Sequence, residues 1–417
     1  MHGKDLKKIV TSKRFYEVTF IVVICLSFLA WLAGIVLTGY ESRQFDIFFL
    51  RCNDFFADTT NVVGYSSLRD VYENTMYTGL KEKAYPPLTY MLMYWLSKVV
   101  DMDKYYEADY FLDMYTEPKF LIIYLIYAII TVVMVYELVR TCKKGNTLIK
   151  IGTAAAVLLS APVLFSFERA NTIILTLFFV LFYIFYYDSQ NKIMKELALI
   201  SLAIAVAFKM TPAILGILLL YNKQWKEAFR AVIYGIIVGI APFMFFEGGL
   251  SNIFRMFRNM SLNVEYYTSK EGCTLLASVL SFGVLPSEGL KQTVNIITYV
   301  VCFVLLVSAG FSHKNWEKIM AVSMVLIILP SHSGYYCILY IIPAVIAFLN
   351  EQEHQLSDIF IFISILLIMY DVQSVAREHF LNYHLSILLI TGIMVIKGVL
   401  YVAAAIGAYR NQCKKDA

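Results

Sequence analysis

The sequence predicts an all-α, polytopic integral membrane protein of about 11–13 transmembrane or re-entrant helices, at the roughly 20 apolar residues that each crossing takes. Three observations carry this prediction. First, 59% of the 417 residues are hydrophobic and 16% charged, and the mean hydropathy is +0.66, whereas soluble domains have about 45–50% apolar and 25% charged residues. Second, apolar stretches recur along the whole chain, separated by short polar clusters. Third, basic clusters punctuate those stretches as the positive-inside rule requires.

The first stretch, Phe20 to Leu37, is too long and too late for a signal-peptide core and reads as a retained helix. Lys4, Lys7, Lys8, Lys13 and Arg14 before it favour a cytoplasmic N-terminus. Further spans fall at 120–138, 148–165, 172–187, 196–208, 212–221, 231–247, 291–309, 319–330, 335–349, 358–371 and 385–406, with weaker runs at 86–100 and 273–285. Several are short, and broken helices are tolerated where they line a polar cavity. If each run crosses once, the clusters around Arg140–Lys150, Lys192–Lys195, Lys223–Arg230, Lys314–Lys318 and Arg410–Lys415 all fall inside. Residues 166–171, 209–212, 248–290, 331–334 and 372–384 then fall outside. Parity then leaves two alternatives: 86–100, opened by Pro86 and Pro87, dips into the membrane without crossing, which is the preferred reading, or the 140–150 cluster breaks the charge rule.

The chain reads as one membrane domain over 1–417 with two larger extracytoplasmic loops, 40–85 and 248–290. Both loops are rich in aromatic residues, and 61–74 and 251–262 are expected to form interfacial helices. The net charge of +4 is explained by topology, and no domain for nucleic-acid binding accompanies it. Seven cysteines lack metal-ligand spacing, and Cys52 and Cys273 are candidates for an outside disulfide.

Two cations are costly where they stand. Lys209 is the only charged residue between Glu196 and Lys223, and Arg169 is flanked by apolar runs with only Glu168 as a charged neighbour. A cation at mid-bilayer costs about 2.5–3.5 kcal/mol on insertion scales. An anion is expected to meet each, a phosphate for both or Glu168 for Arg169. Arg offers a planar fork for phosphate oxygens and Lys a point charge; snorkelling to lipid headgroups is the structural alternative.

The first outside loop opens with Asp54 and Asp58, each a solvated loop residue or a general base whose pKa burial would raise. Tyr85-Pro86-Pro87 fixes a helix start, because proline's missing donor is harmless in the first turn. Pro212 breaks the run after Lys209. His332, in Ser331-His332-Ser333-Gly334, is the only histidine embedded at a break between two spans; His313, His354, His379 and His384 read as connector residues. Glu265, beside Tyr266 and Tyr267, is a candidate sugar ligand. No P-loop, dinucleotide fingerprint, GxSxG or histidine pair at metal spacing occurs.

The ordered set NDFFAD (53–58), YPPLTY (85–90), ERANTI (168–173), AFKMTPAI (207–214) and PSHSGYY (330–336) resembles glycosyltransferase family 87 of the GT-C superfamily. These are membrane enzymes that use polyprenyl-phosphate sugars, bacterial alpha-mannosyltransferases among them. The resemblance implies a GT-C-like fold in a bacterial cell membrane and an extracytoplasmic active site. Its catalytic carboxylate falls on Asp58, with Asp54 as the competing alignment. Its phosphate-binding residues fall on Arg169 and Lys209, and its late histidine on His332. Asn171, Tyr85 and Glu265 complete the expected substrate contacts. Ala170 stands where many relatives carry glycine.

The implied reaction is an inverting transfer of a hexose, mannose in the nearest branch, from a polyprenyl-phosphate sugar to a hydroxyl of a lipid or glycan acceptor. The lipid-linked sugar is then a co-substrate, and neither a cofactor nor a metal is expected. Two other readings use the same residues differently. A transporter or flippase of lipid-linked sugars needs a cationic phosphate site but no base at Asp58; an export or assembly subunit needs the charges only for helix contacts.

Overall fold

Apolar segments with no water around them must satisfy their backbone groups internally, and here they do so as helices. The structure, a computed structural model, describes residues 10–38, 56–76, 79–106, 111–266, 272–330, 333–370 and 381–413. In chain order its main helices are α1 (Lys13–Thr38), α2 (Ala57–Ser66), α3 (Pro87–Ser97), α4 (Pro118–Cys142), α5 (Thr147–Leu158), α6 (Ala161–Glu168), α7 (Ile173–Tyr186) and α8 (Lys192–Phe208). There follow α9 (Trp225–Ile240), α10 (Asn252–Tyr266), α11 (Leu275–Ser281), α12 (Glu288–Ala309), α13 (Asn315–Ile328), α14 (Ile342–Asn350), α15 (Asp358–Met369) and α16 (Leu381–Cys413). Among the described residues the sole extended pairing is an isolated bridge between Ser12 and Glu353.

Local chemistry sets the boundaries. The side chains of Asn146, Asn191, Thr274 and Ser287 accept from the first free backbone N–H groups of α5, α8, α11 and α12. Pro86 is extended and Pro87 opens α3, as the paired prolines imply. Lys209 leaves α8 in an extended conformation, and Pro212 starts a 3-10 turn over Thr211–Gly216.

Five helices of the described residues are long and apolar enough to cross a membrane: Lys13–Ala33, Pro118–Cys142, Trp225–Phe245, Glu288–Ala309 and Tyr383–Ala408. The protein is therefore a multi-pass membrane protein. Other apolar runs form shorter helices, at Ile173–Tyr186, Thr211–Tyr221, Tyr335–Asn350 and Asp358–Met369. The 86–100 run is one of the short ones, since α3 has only 11 residues.

The described residues cluster into two compact units, one from 1–47, 140–161 and 269–417, the other from 48–139 and 162–268. In the first, α13 is buried at every position from Trp316 to Ile328 except Lys318. Lys397 on α16 reaches Glu317 at 2.9 Å and Asp358 at 2.6 Å, both carboxylates fully buried. Lys143 is likewise buried, paired with Glu17 and donating to the Leu349 carbonyl at 3.0 Å. In the second unit an aromatic core of Tyr65, Tyr72, Tyr90, Phe120, Phe243 and Phe246 gathers around α2 and α3.

Two expectations change. The 61–74 segment is not an interfacial helix, because α2 is buried at eight of its ten positions. Val62, Val63 and Tyr65 of this helix belong to the aromatic core. His384 lies within α16, buried, with Nδ1 3.1 Å from Ser278 Oγ. His354 lies in the connector between α14 and α15, as expected, and is buried between the rings of Tyr16 and Phe348. Cys52 lies outside the described residues; Cys273 is buried.

Candidate active site

The second unit brings together residues that the sequence spreads over more than a hundred positions. The turn before α2 and the turn after α6 are joined by backbone and side-chain hydrogen bonds. Phe56 N–H donates to the Glu168 carbonyl at 2.9 Å, and Thr59 Oγ1 donates to the Ala170 carbonyl at 2.5 Å. Both turns use left-handed residues that are not glycine, Phe56 at φ 58° and Ala170 at φ 51°. Each carries a steric penalty that the joined turns overcome.

This junction sets Asp58 against Arg169. Arg169 Nη2 lies 2.7 Å from Asp58 Oδ1 and Nε 3.2 Å from the same oxygen. Asn171 Nδ2 donates to Asp58 Oδ2 at 2.6 Å, while its own Oδ1 accepts from the Ile173 N–H at 2.9 Å and so fixes the amide's orientation. Asp58, 111 residues away in sequence, is thus an anion that answers Arg169. Burial alone would push the Asp58 carboxyl up. The Arg169 guanidinium, the hydrogen bonds from Arg169 and Asn171, and the charge of Lys209 outweigh it and hold the group below the ordinary carboxylate value. The raised pKa expected for a buried base is therefore reversed here.

Lys209 stands at the end of α8 with its ammonium 4.2 Å from the centre of the Tyr85 ring, a cation–π contact. Tyr85 is held on both sides of its backbone. Tyr90 Oη accepts its N–H at 2.9 Å, and Tyr72 Oη donates to its carbonyl at 2.9 Å. Thr89 Oγ1 donates to the Phe208 carbonyl at 2.9 Å and ties α3 to the residue before Lys209.

Asp58, Arg169, Asn171, Lys209 and Tyr85 therefore belong to one neighbourhood of one unit. Asp54 and His332 lie outside the described residues, and so does the side chain of Glu265. Sequence reasoning passed over Thr59, whose hydroxyl holds the Ala170 turn; its only signal was its place beside Asp58. It also passed over Lys83, buried, with Nζ donating to the carbonyls of Asn74, Met76 and Gly79 at 2.7, 2.9 and 2.7 Å. Beside the junction lies an apolar groove of about 480 Å³, lined by Phe56, Tyr124, Ile129, Val132, Phe167 and Glu168 among others. Among the described residues no group of three or more His, Cys, Asp or Glu is placed to hold a metal ion.

Residues 84–331 match the family described as Glycosyltransferase family 87. Tyr85, Arg169, Asn171, Lys209 and Glu265 lie inside the matched region; Asp58 precedes it and His332 follows it. No curated protein matches the chain. The family match covers more than half of the sequence and falls on a helical, multi-pass membrane protein: the chain belongs to glycosyltransferase family 87 and is a membrane glycosyltransferase of the GT-C superfamily.

Proposed function

We propose that the protein transfers a hexose, mannose by family resemblance, from a polyprenyl-phosphate sugar to a hydroxyl of a lipid or glycan acceptor, at the extracytoplasmic face and with inversion. The observation that carries the reading is the contact of Asp58 with Arg169 and Asn171 under the charge of Lys209. A carboxylate gathered with two cations in one unit is what supports the reading.

In this reading the acceptor oxygen attacks the anomeric carbon while Asp58 takes its proton. The bond from the anomeric carbon to the phosphate oxygen breaks, and polyprenyl phosphate departs with the electron pair. Arg169 and Lys209 stabilise that departing charge. A single displacement with one base turns a beta-linked donor into an alpha-linked product. The 480 Å³ groove beside Phe56 and Phe167 offers an apolar path for the isoprenoid.

The ion pair also accounts for timing. A carboxylate held by Arg169 is a poor base until something draws the guanidinium away. The donor phosphate, with more than one acceptor oxygen, competes for that fork. As Arg169 turns to phosphate, Asp58 loses its strongest partner and its basicity rises.

The test is purified protein supplied with radiolabelled polyprenyl-phosphate sugars and candidate lipid acceptors. Alpha-linked product from the wild type and none from Asp58→Asn supports the reading. Arg169→Ala and Lys209→Ala should weaken donor binding. Full turnover by Asp58→Asn would overturn the base assignment, and unchanged donor affinity in both cation variants would overturn the phosphate site.

A further inference from the structure

Helix α10 carries a surface that sugar transfer does not explain. Its sequence, NIFRMFRNMSLNVEY, is too short and too polar to cross a bilayer. One face is packed: Asn252, Met256 and Asn259 are buried. Asn259 Nδ2 donates to the carbonyls of Tyr72 and Lys83, both at 3.1 Å, and Arg255 Nε lies 2.9 Å from Glu73. The other face is apolar and bare, with Phe254 79% and Phe257 52% exposed and Leu250 half exposed just before the helix. Phe254 and Phe257, three apart, share that face, and Arg258 follows directly.

The position of α10 in the chain says what covers this face. The membrane-crossing helix Trp225–Phe245 ends immediately before it, and only residues 246–251 intervene. Fully extended, that connection reaches at most roughly 20 Å, so the start of α10 stays at the membrane surface. Leaving a bare Phe in water is unfavourable relative to burying it, and the apolar layer beneath the headgroups is the nearest place to bury it. A helix with aromatic residues on one face and Arg beside them fits the headgroup–acyl boundary.

We propose that α10 is seated in the lipid headgroup layer, with Phe254 and Phe257 as anchors in the acyl boundary and Arg258 at the lipid phosphates. Its packed face holds the 72–85 segment through Asn259, so the bilayer surface becomes the base on which Tyr85 is positioned over Lys209. This seating requires only that the protein is in a membrane, and it stands whether or not the transfer chemistry proposed above is correct.

The experiment is fluorescence of Phe254→Trp and Phe257→Trp in the full chain. Each is reconstituted into phosphatidylglycerol–phosphatidylethanolamine vesicles with bromine at shallow or deep acyl positions. The wild-type spectrum, from four tryptophans, is subtracted. Seating predicts a blue-shifted added emission that shallow bromine quenches more than deep bromine. A red-shifted, unquenched emission would show a water-exposed face and overturn the proposal. Blue-shifted emission that neither bromine quenches would show a protein partner, and stronger quenching by deep bromine a lipid-buried helix; either also overturns it. The two positions are independent, so a variant that fails to fold leaves the other to decide.

Discussion

Asp58 is the residue on which charge, strain and chemistry meet. With a folded pKa below its ordinary value, its pairing stabilises the protein above the unfolded carboxylate pKa, roughly pH 4. That stability is lost as pH falls through the lower folded value. Thermal melts of wild type and Asp58→Asn across the acid range should therefore converge at low pH and diverge above it; a constant gap would contradict the pairing. Ala170, at φ 51°, supplies a second prediction. A left-handed residue with a Cβ costs about 1–2 kcal/mol, and glycine's extra freedom in the unfolded chain costs roughly 0.5–1 kcal/mol. Relief wins, so Ala170→Gly should raise the melting temperature, by about 0.5–1 kcal/mol of stability. A lower melting temperature would show that the turn is not strained. The unusual charges themselves were legible in the sequence. Their pairing was not, because Asp58 and Arg169 are brought together by hydrogen bonds between turns 111 residues apart.

Among the elements, those governed by local chemistry were the ones the sequence announced. Pro86-Pro87 opens α3 and Lys209–Pro212 ends α8, because proline geometry and a missing N–H act within a turn. Helix α2 was misread as interfacial, since its burial depends on Tyr90 and Tyr72, supplied from later segments. Lys83 clamps the chain around it, its ammonium donating to the backbone carbonyls of Asn74, Met76 and Gly79. Lys83→Met would orphan those acceptors. It should cost about 1–3 kcal/mol for each carbonyl that water cannot reach and loosen Tyr85 over Lys209. Limited proteolysis should then cut within 72–85 faster than in wild type; an unchanged rate would count against the clamp.

For the molecule as a whole, composition sufficed for the class: helical, multi-pass, membrane-embedded. It said less about how many helices cross, because runs such as Ile173–Tyr186 and Asp358–Met369 are apolar enough for a membrane yet too short for a straight span. Nor did it foretell where a lysine in the last span would find its partners. Lys397 closes a buried pair of carboxylates, Glu317 and Asp358. Removing its charge takes their shared cation from both, while Lys314 stays 3.7 Å from Asp358. Lys397→Met should destabilise the protein by on the order of 3–5 kcal/mol, read as a lowered melting temperature in detergent, and adding Glu317→Gln should restore part of the loss. No change on Lys397→Met would mean that other groups neutralise the carboxylates.

The reaction proposed for this glycosyltransferase turns on Arg169 being shared, held by Asp58 at rest and claimed by the donor's phosphate at work. Binding of sugar-free polyprenyl phosphate to wild type and to Asp58→Asn measures that sharing directly. Loss of the competing carboxylate should tighten binding severalfold while sugar transfer disappears. Weaker or equal binding by Asp58→Asn, or transfer that survives in it, would contradict the account.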